Sequence, residues 1–172
     1  MESNIREYAN GEDVGKVWDV AFSNNLHKIT NIILESGKLI KEKWVAPFNN
    51  IISFDDDILS IKKNGIKKFE EINKEEIILS KDIGILGKEI MMEDGEIIGY
   101  VRDVMINPSS GMVIGFTMTE GIFEDIFNGQ NFIPYLGNVK IDDKKILVDK
   151  EIMIQIAKNK DYYKKLLGLR NE

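Results

Sequence analysis

The chain has 172 residues, 43% of them hydrophobic and 30% charged, which is typical of a folded protein with one medium or two small domains. Its net charge of −6 disfavours generic nucleic-acid binding, and the absence of cysteine excludes disulfides and thiolate chemistry. No apolar run approaches the roughly 20 residues needed to span a bilayer, and the amino terminus lacks a signal-peptide pattern. We therefore expect a cytoplasmic protein without integral membrane insertion.

A repeat organises the chain. Residues 11–22 read GEDVGKVWDVAF and residues 95–106 read GEIIGYVRDVMI, so that Gly95 aligns with Gly11. Continued without a gap to residues 34 and 118, the two copies form 24 pairs, of which six are identical. Chance would give roughly one or two identical pairs at average residue usage. Two copies of one β-rich module explain the repeat best.

The first strand of each copy carries a predicted bend. Val20 and Phe22 have the period of two that is typical of a strand, whereas Val17 has the opposite parity, and the second copy repeats this pattern. A β-bulge near Asp19 and Asp103 would add one residue to the strand, so that the valines on both sides of it can point to the same face. The residues that we expect to shape the modules are Gly15, Asp19, Gly99, Asp103, Pro47 and Pro134.

A turn follows this strand in both copies. In NPSSG (107–111), Pro108 presets φ and Gly111 can take the left-handed conformation that closes a hairpin. SNNLHK (23–28) takes this position in the first copy, with two asparagines that tolerate the same conformation. A second apolar strand follows each turn.

The segments after each module are predicted to differ from it. Residues 62–82 are rich in Lys and Glu and indicate a linker with one or two helical turns. A helix is expected from about Asp149 to Gly168, with its apolar positions at helical spacing. Its lysines are either solvated while the helix packs on its own domain, or they contact a membrane surface or RNA.

The residue types that could carry catalysis have structural explanations. Asp19 and Asp103 could hold a cation as a pair, but backbone hydrogen bonds at the bend explain their recurrence better. The acidic run at 55–57 is typical of a solvated turn, and a single histidine, His27, cannot form a His-based ligand set. GEDVG and GEIIG serve turns and a close backbone approach, because no helix follows them to bind phosphate. We expect no catalytic residue, no metal and no cofactor.

An aromatic segment is the best candidate for binding a partner. Residues 119–135 (TEGIFEDIFNGQNFIPY) concentrate apolar side chains that either cap their own module or bind a protein partner. The predicted partner-binding residues are Ile122, Phe123, Ile126, Phe127 and Phe132, with Trp44 and Phe48 in the first module.

These motifs together resemble the PRC-barrel family, which includes the H subunit of the photosynthetic reaction centre and a ribosome maturation factor. The resemblance lies in G-x-x-[IV]-G-x-V-x-D-V, which falls on residues 11–20 and 95–104, and in Pro47 and Pro134, each leading towards an acidic turn. It implies a mainly β fold of two small antiparallel PRC-type β-barrels in tandem with a C-terminal α-helix. The implied domains are residues 1–80 with the linker, 81–150, and the helix at 151–172.

The family resemblance implies a function without catalysis. PRC-barrel proteins mostly serve as docking or assembly modules, so we expect a protein-binding adaptor that is not an enzyme. Its partner is unknown, and a homodimer is one candidate. An RNA- or ribosome-associated accessory role and peripheral membrane association through the C-terminal helix stay open as alternatives.

Overall fold

The computed structural model is mainly β, as expected, and its residues cluster into two compact units. Unit 1 comprises residues 1–83 with 107–112, and unit 2 comprises residues 84–106 with 113–172. The structure describes residues 3–55, 58–73, 77–119, 132–135, 139–142, 144–151, 154, 162 and 165.

Unit 1 is built on one eight-stranded sheet. Its strands are β1 (Asn4–Glu7), β2 (Asp13–Phe22), β3 (Ile29–Ser36), β4 (Glu42–Pro47), β5 (Ile51–Asp55), β6 (Ile58–Ile61), β7 (Lys67–Lys68) and β8 (Ile78–Leu79). They follow the order β5-β6-β1-β2-β3-β4-β7, and β8 pairs with β2. Strand β1 runs parallel to β6, whereas the other pairs are antiparallel.

The predicted bend in β2 is confirmed. Val17 lies opposite Leu34 on β3, but Asp19 lies opposite Ile33. At this point β2 therefore moves forward by two residues while β3 moves by one. Trp18 is the additional residue. A bulge of this kind bends the strand and changes which side chains share a face, which is why Val17 and Val20 differ in parity.

Both faces of the unit 1 sheet carry buried side chains. On one face, a set of apolar residues that we call the Trp18 cluster packs together: Ala21, Ile33, Val45 and Leu79, with Trp18, Phe69, Ile72 and Ile77 against them. Neighbours on a strand point to opposite faces. Leu34 and Ala46 are accordingly buried on the other face, each only 1% exposed.

The prediction for residues 62–82 is correct in its one or two helical turns, but the segment is not a free linker. The segment contains β7, β8, a 3-10 turn (Phe69–Glu71) and the start of a short helix, α1 (Ser80–Ile83). It packs on the sheet, because Phe69, Ile72 and Leu79 contribute to the Trp18 cluster. Lys and Glu residues are frequent between these apolar positions. Composition alone therefore does not predict that the segment packs on the sheet.

Unit 2 contains a six-stranded sheet. Its strands are β9 (Glu89–Met92), β10 (Ile97–Ile106), β11 (Val113–Met118), β12 (Phe132–Pro134), β13 (Lys140–Ile141) and β14 (Lys145–Val148), in the order β12-β11-β10-β9-β14-β13. Strand β14 runs parallel to β9, while the other pairs are antiparallel. The second predicted bend is also confirmed, since Val101 lies opposite Met118 and Asp103 opposite Thr117.

The two predicted turns have different outcomes. Gly111 has φ of 72°, as expected, and its N–H donates to the carbonyl oxygen of Asn107 at 2.8 Å. In the first copy the prediction for the asparagines is wrong, because Leu26 takes the left-handed conformation with φ of 58°. The side chain of Asn25 instead accepts hydrogen bonds from the hydroxyl of Ser23 and from the backbone N–H of His27. Leucine has no side-chain acceptor for these bonds.

The expected C-terminal helix falls largely outside the described residues and stays a prediction. The described residues nearest to its start include Asp149, whose Oδ1 accepts a hydrogen bond from the backbone N–H of Glu151 at 2.9 Å. A helix-capping aspartate makes this contact. Within the described ranges, no helix has the length and apolar character that crossing a membrane requires.

Candidate functional site

The predicted partner-binding residues have different positions in the structure. Four of them, Ile122, Phe123, Ile126 and Phe127, lie outside the described residues. Phe132 is 0% exposed on β12, and Phe48 is 4% exposed in the 3-10 turn after β4. Trp44 is half-buried on β4 and lines a pocket, so it is the predicted residue through which the described surface could contact a partner.

The two aspartates accept hydrogen bonds at the bends. In each copy Oδ1 accepts the N–H of the following valine at 2.8 Å, from Val20 to Asp19 and from Val104 to Asp103. Asp19 is 8% exposed and also accepts hydrogen bonds from the hydroxyl of Ser80 and, at 3.4 Å, from the N–H of Lys81. Both aspartates therefore accept backbone hydrogen bonds at the bends, as expected. In the described part of the chain, no three His, Asp or Glu side chains are grouped as metal ligands are.

The expected close backbone approach occurs at Gly15. Its φ is 131°, and a Cβ built there would overlap the carbonyl oxygen of Glu35 on β3. Gly99 has a similar φ of 155° at the equivalent point of β10. Pro47 lies opposite Asn31, and Pro134 lies opposite Gly115, at the ends of β4 and β12.

One pocket of unit 1 is the strongest candidate site. We call it the Trp44 pocket. Its volume is about 330 Å³, and its lining consists of Val14, Leu34, Ser36, Trp44, Lys63 and Ile66. Trp44 lies opposite Leu34 across the β3–β4 pair, so the two side chains share one face of the sheet. Small-molecule sites are mostly apolar and start at roughly 300 Å³, so this pocket suits one compact apolar group.

The charges at the rim of the Trp44 pocket are paired. The ammonium of Lys63 lies 3.0 Å from Glu7 and 2.7 Å from Glu12. The hydrogen bond from Lys63 lowers the pKa of Glu12, and the hydrogen bonds to Glu12 and Glu7 raise the pKa of Lys63. A second ammonium, that of Lys68, lies 5.3 Å from the centroid of the Trp44 ring and 3.5 Å from Glu42. Three carboxylates against two ammonium groups leave the surroundings of the pocket with a net charge of −1. An anionic ligand is therefore disfavoured, and an apolar or cationic one is favoured.

The other tryptophan of unit 1 lies on the opposite face of the sheet. The ammonium groups of Lys43 and Lys81 lie 3.6 and 3.0 Å from the centroid of the Trp18 ring. The ring of Phe69 meets it edge-on, at 6.2 Å between centroids. Cation–π contacts and an aromatic neighbour stabilise a half-buried tryptophan. Because these groups already contact the ring, we assign Trp18 a structural role.

Sequence reasoning identified Trp44 and missed the rest of its pocket. Val14, Lys63 and Ile66 come from the start of β2 and from the segment before β7. Nothing in their local sequence indicates that they converge on Trp44, because the pairing of β2, β3 and β4 brings them there. The aromatic side chain of Trp44 was the one feature of the sequence that indicated a binding site here.

Unit 2 combines a defined strand order with the motif GEIIGYVRDV and a bend at Asp103. A comparison with protein families matches the same region. Residues 84–152 form a PRC-barrel domain. This PRC-barrel domain covers less than half of the 172 residues, and none of the curated proteins compared matches the chain.

The core of the PRC-barrel domain is tightly packed. Phe116 and Phe132 are 1% and 0% exposed, and Tyr135 meets Phe116 edge-on at 5.6 Å between ring centroids. Lys88 is 5% exposed, and its ammonium donates to the carbonyl oxygen of Asp142 at 2.9 Å. The domain contains no tryptophan, so a pocket lined by tryptophan is specific to unit 1.

Proposed function

We propose that this chain is a non-catalytic protein-binding module, in which unit 1 is a second PRC-type domain and its Trp44 pocket holds an apolar side chain of a protein partner. The observation that carries the proposal is the Trp44 pocket itself. The pocket has a volume of about 330 Å³, and a half-buried tryptophan lines it together with mostly apolar neighbours. Tryptophan is enriched among the residues that dominate binding energy at protein interfaces.

The strand pairing within each unit supports the tandem arrangement. In unit 1, β6 precedes β1, β2, β3 and β4 across the sheet, and unit 2 repeats this order with β14, β9, β10, β11 and β12. The registers agree as well. Ile32 lies opposite Ala46 and Phe116 opposite Ile133, and the sequence repeat aligns Phe116 with Ile32. Equal order, equal register and equal bends are the result expected of a duplicated module.

Charge favours a protein partner over RNA. Glu7 and Glu12 outnumber Lys63 at the rim of the pocket, and the chain as a whole carries a charge of −6. Phosphate groups would be repelled from such a surface, since RNA binding depends on released cations and a basic face. An apolar side chain from a protein does not meet this electrostatic repulsion.

The experiment is a selection of displayed peptides on the immobilised full chain, followed by titration of the recovered peptides. Trp18→Phe leaves Trp44 as the one tryptophan, so a change in its emission reports occupation of the pocket. Truncating a dominant interface residue costs roughly 2 kcal/mol or more. Trp44→Ala should therefore weaken peptide binding by about 30-fold or more.

The matched control for the peptide titration is Trp18→Ala, which removes the same side chain from the opposite face of the sheet. It should retain binding if the variant is folded, as judged by its circular dichroism. The proposal fails if no apolar peptide is recovered from chain that is immobilised so sparsely that two copies cannot contact each other. It also fails if the recovered peptides bind folded Trp44→Ala as tightly as the unaltered chain.

A further inference from the structure

The hairpin tip between β3 and β4 exposes two large apolar side chains. Leu39 is 98% exposed and Ile40 is 78% exposed. Single exposed apolar residues are common, but two adjacent ones at a tip form a continuous apolar surface. The tip is also conformationally defined, because Gly37 has φ of 104° and a Cβ there would overlap the carbonyl oxygen of Ile40. We use "hairpin tip" for residues 37–41.

The hairpin tip and the Trp44 pocket are complementary in chemistry. Lys38 and Lys41 flank the two apolar residues of the tip. Lys41 is paired with Glu35 at 2.9 Å, whereas Lys38 has no ion pair among the described residues. The pocket is mostly apolar, and its surroundings carry a net charge of −1 from three carboxylates against two ammonium groups. An apolar surface with a cation thus matches an apolar pocket with an excess of carboxylate.

The hairpin tip and the pocket also lie at the same end of unit 1. Ser36, which precedes the tip, is itself part of the pocket lining, and it lies opposite Glu42, which follows the tip. A surface that carries both an insert and its receptor side by side can pair with its own copy about a two-fold axis. Each copy then contributes one tip and one pocket, and the assembly closes at two.

We propose that the occupant of the Trp44 pocket is the hairpin tip of a second copy of this chain, so that two copies exchange tips reciprocally. This inference rests on the proposed function, since it names the partner of the same pocket. Leu39 of the second copy enters the pocket between Trp44 and Ile66. Lys38 of the second copy faces Glu7 and Glu12, so the dimer weakens as salt screens these charges.

Sedimentation velocity of the full chain over a concentration series tests the exchange. The unaltered chain should dimerise, and Leu39→Asp with Ile40→Asp should raise the dimer dissociation constant at least tenfold. Because both side chains are exposed, this tip variant keeps its fold. Leu86→Asp is the matched control, since Leu86 is also an exposed leucine, at 62%, but lies outside the tip and the pocket. It should leave the dissociation constant unchanged.

A mixing experiment gives a second, independent test. Trp44→Ala keeps the tip and loses the pocket, while the tip variant keeps the pocket and loses the tip. Each should be monomeric alone, and an equimolar mixture should form a weak heterodimer through the one remaining tip–pocket contact. A tip variant that dimerises like the unaltered chain overturns the inference, and so does a mixture that stays monomeric although both variants are folded.

The tip variant also separates failure of this inference from failure of the proposed function. Its pocket has no competing tip, so it should bind the selected apolar peptides. If the unaltered chain is monomeric while both it and the tip variant bind these peptides, tip exchange is wrong and the proposed function stands. If the tip variant binds no apolar peptide, the proposed function fails.

Discussion

Replacing Asp19 and Asp103 by alanine, one at a time, should have unequal effects although the two residues occupy the same point of the repeat. Each accepts one hydrogen bond from the next valine at 2.8 Å. Asp19 is 8% exposed and accepts further hydrogen bonds from Ser80 and Lys81, whereas Asp103 is exposed and no further bond to it is described. The difference between the two variants therefore measures the additional contacts of Asp19.

The magnitude of the Asp19 effect can be worked from these bonds. A hydrogen bond to a charged group contributes about 1.5–3 kcal/mol when it is shielded from water. The bonds from Val20 and Ser80 are short, and the one from Lys81 is long at 3.4 Å, so it contributes little. Asp19→Ala should lower the free energy of unfolding by about 3–5 kcal/mol. Asp103→Ala should cost about 1 kcal/mol or less, because water replaces the carboxylate at the exposed N–H.

The assay for Asp19 is urea unfolding followed by tryptophan emission, since both tryptophans lie in unit 1. Hydrogen exchange of the β10 and β11 amides gives the corresponding value for Asp103. A double-mutant cycle with Ser80→Ala should give a coupling of about 1–2 kcal/mol with Asp19. A coupling within error of zero, or equal losses for the two aspartates, would refute the assignment of the additional stability to the Ser80 contact.

Three further predictions concern other positions. Gly115→Ala should destabilise unit 2 by about 3 kcal/mol in urea unfolding, because its Cβ would lie 2.5 Å from a ring carbon of Phe132 and overlap the carbonyl oxygen of Ile133. A loss under about 1 kcal/mol contradicts this. Leu26→Gly should be more stable than Leu26→Ala by about 1 kcal/mol, since both lose the side chain but only glycine accepts φ of 58° without strain, and equal unfolding midpoints would exclude strain. Burial raises the pKa of Tyr135, so the stability from its neutral form is fully present below the ordinary tyrosine pKa and is lost as the pH rises through the raised pKa. Tyr135→Phe should remove this loss of stability at alkaline pH, as measured by hydrogen exchange. The same pH profile for the variant and the unaltered chain would contradict this prediction.

The bends and the strand order illustrate what sequence can predict. The opposite parity of Val17 and Val20 has one simple solution, an additional residue in the strand, and the recurrence of the pattern in the second copy supports it. The register shifts at Asp19 and Asp103 confirm that solution. Periodicity is a local property that the sequence carries directly, so this part of the fold was accessible without coordinates.

Contacts across the sheet were not accessible in the same way. Ile66 lines the same pocket as Trp44, and Phe69 contacts Trp18, through strand pairings that join residues far apart in sequence. In residues 62–82 the charged majority suggested a linker, although a few apolar residues decide the packing. At Leu26, local propensity favoured the neighbouring asparagines, but Asn25 is occupied in hydrogen bonds within the turn. Tertiary pairing overrides local preference at these positions.

The parallel pairing of β1 with β6 has a consequence for synthesis on the ribosome. Ile5 on β1 is 0% exposed and lies between Gly15 on one side and Leu59 on the other. At roughly 5–20 residues per second, translation needs about 3–10 s to proceed from β1 to the end of β6. During this interval β2, β3 and β4 can pair in turn on one side of β1, while its other side stays unpaired until β6 has been made.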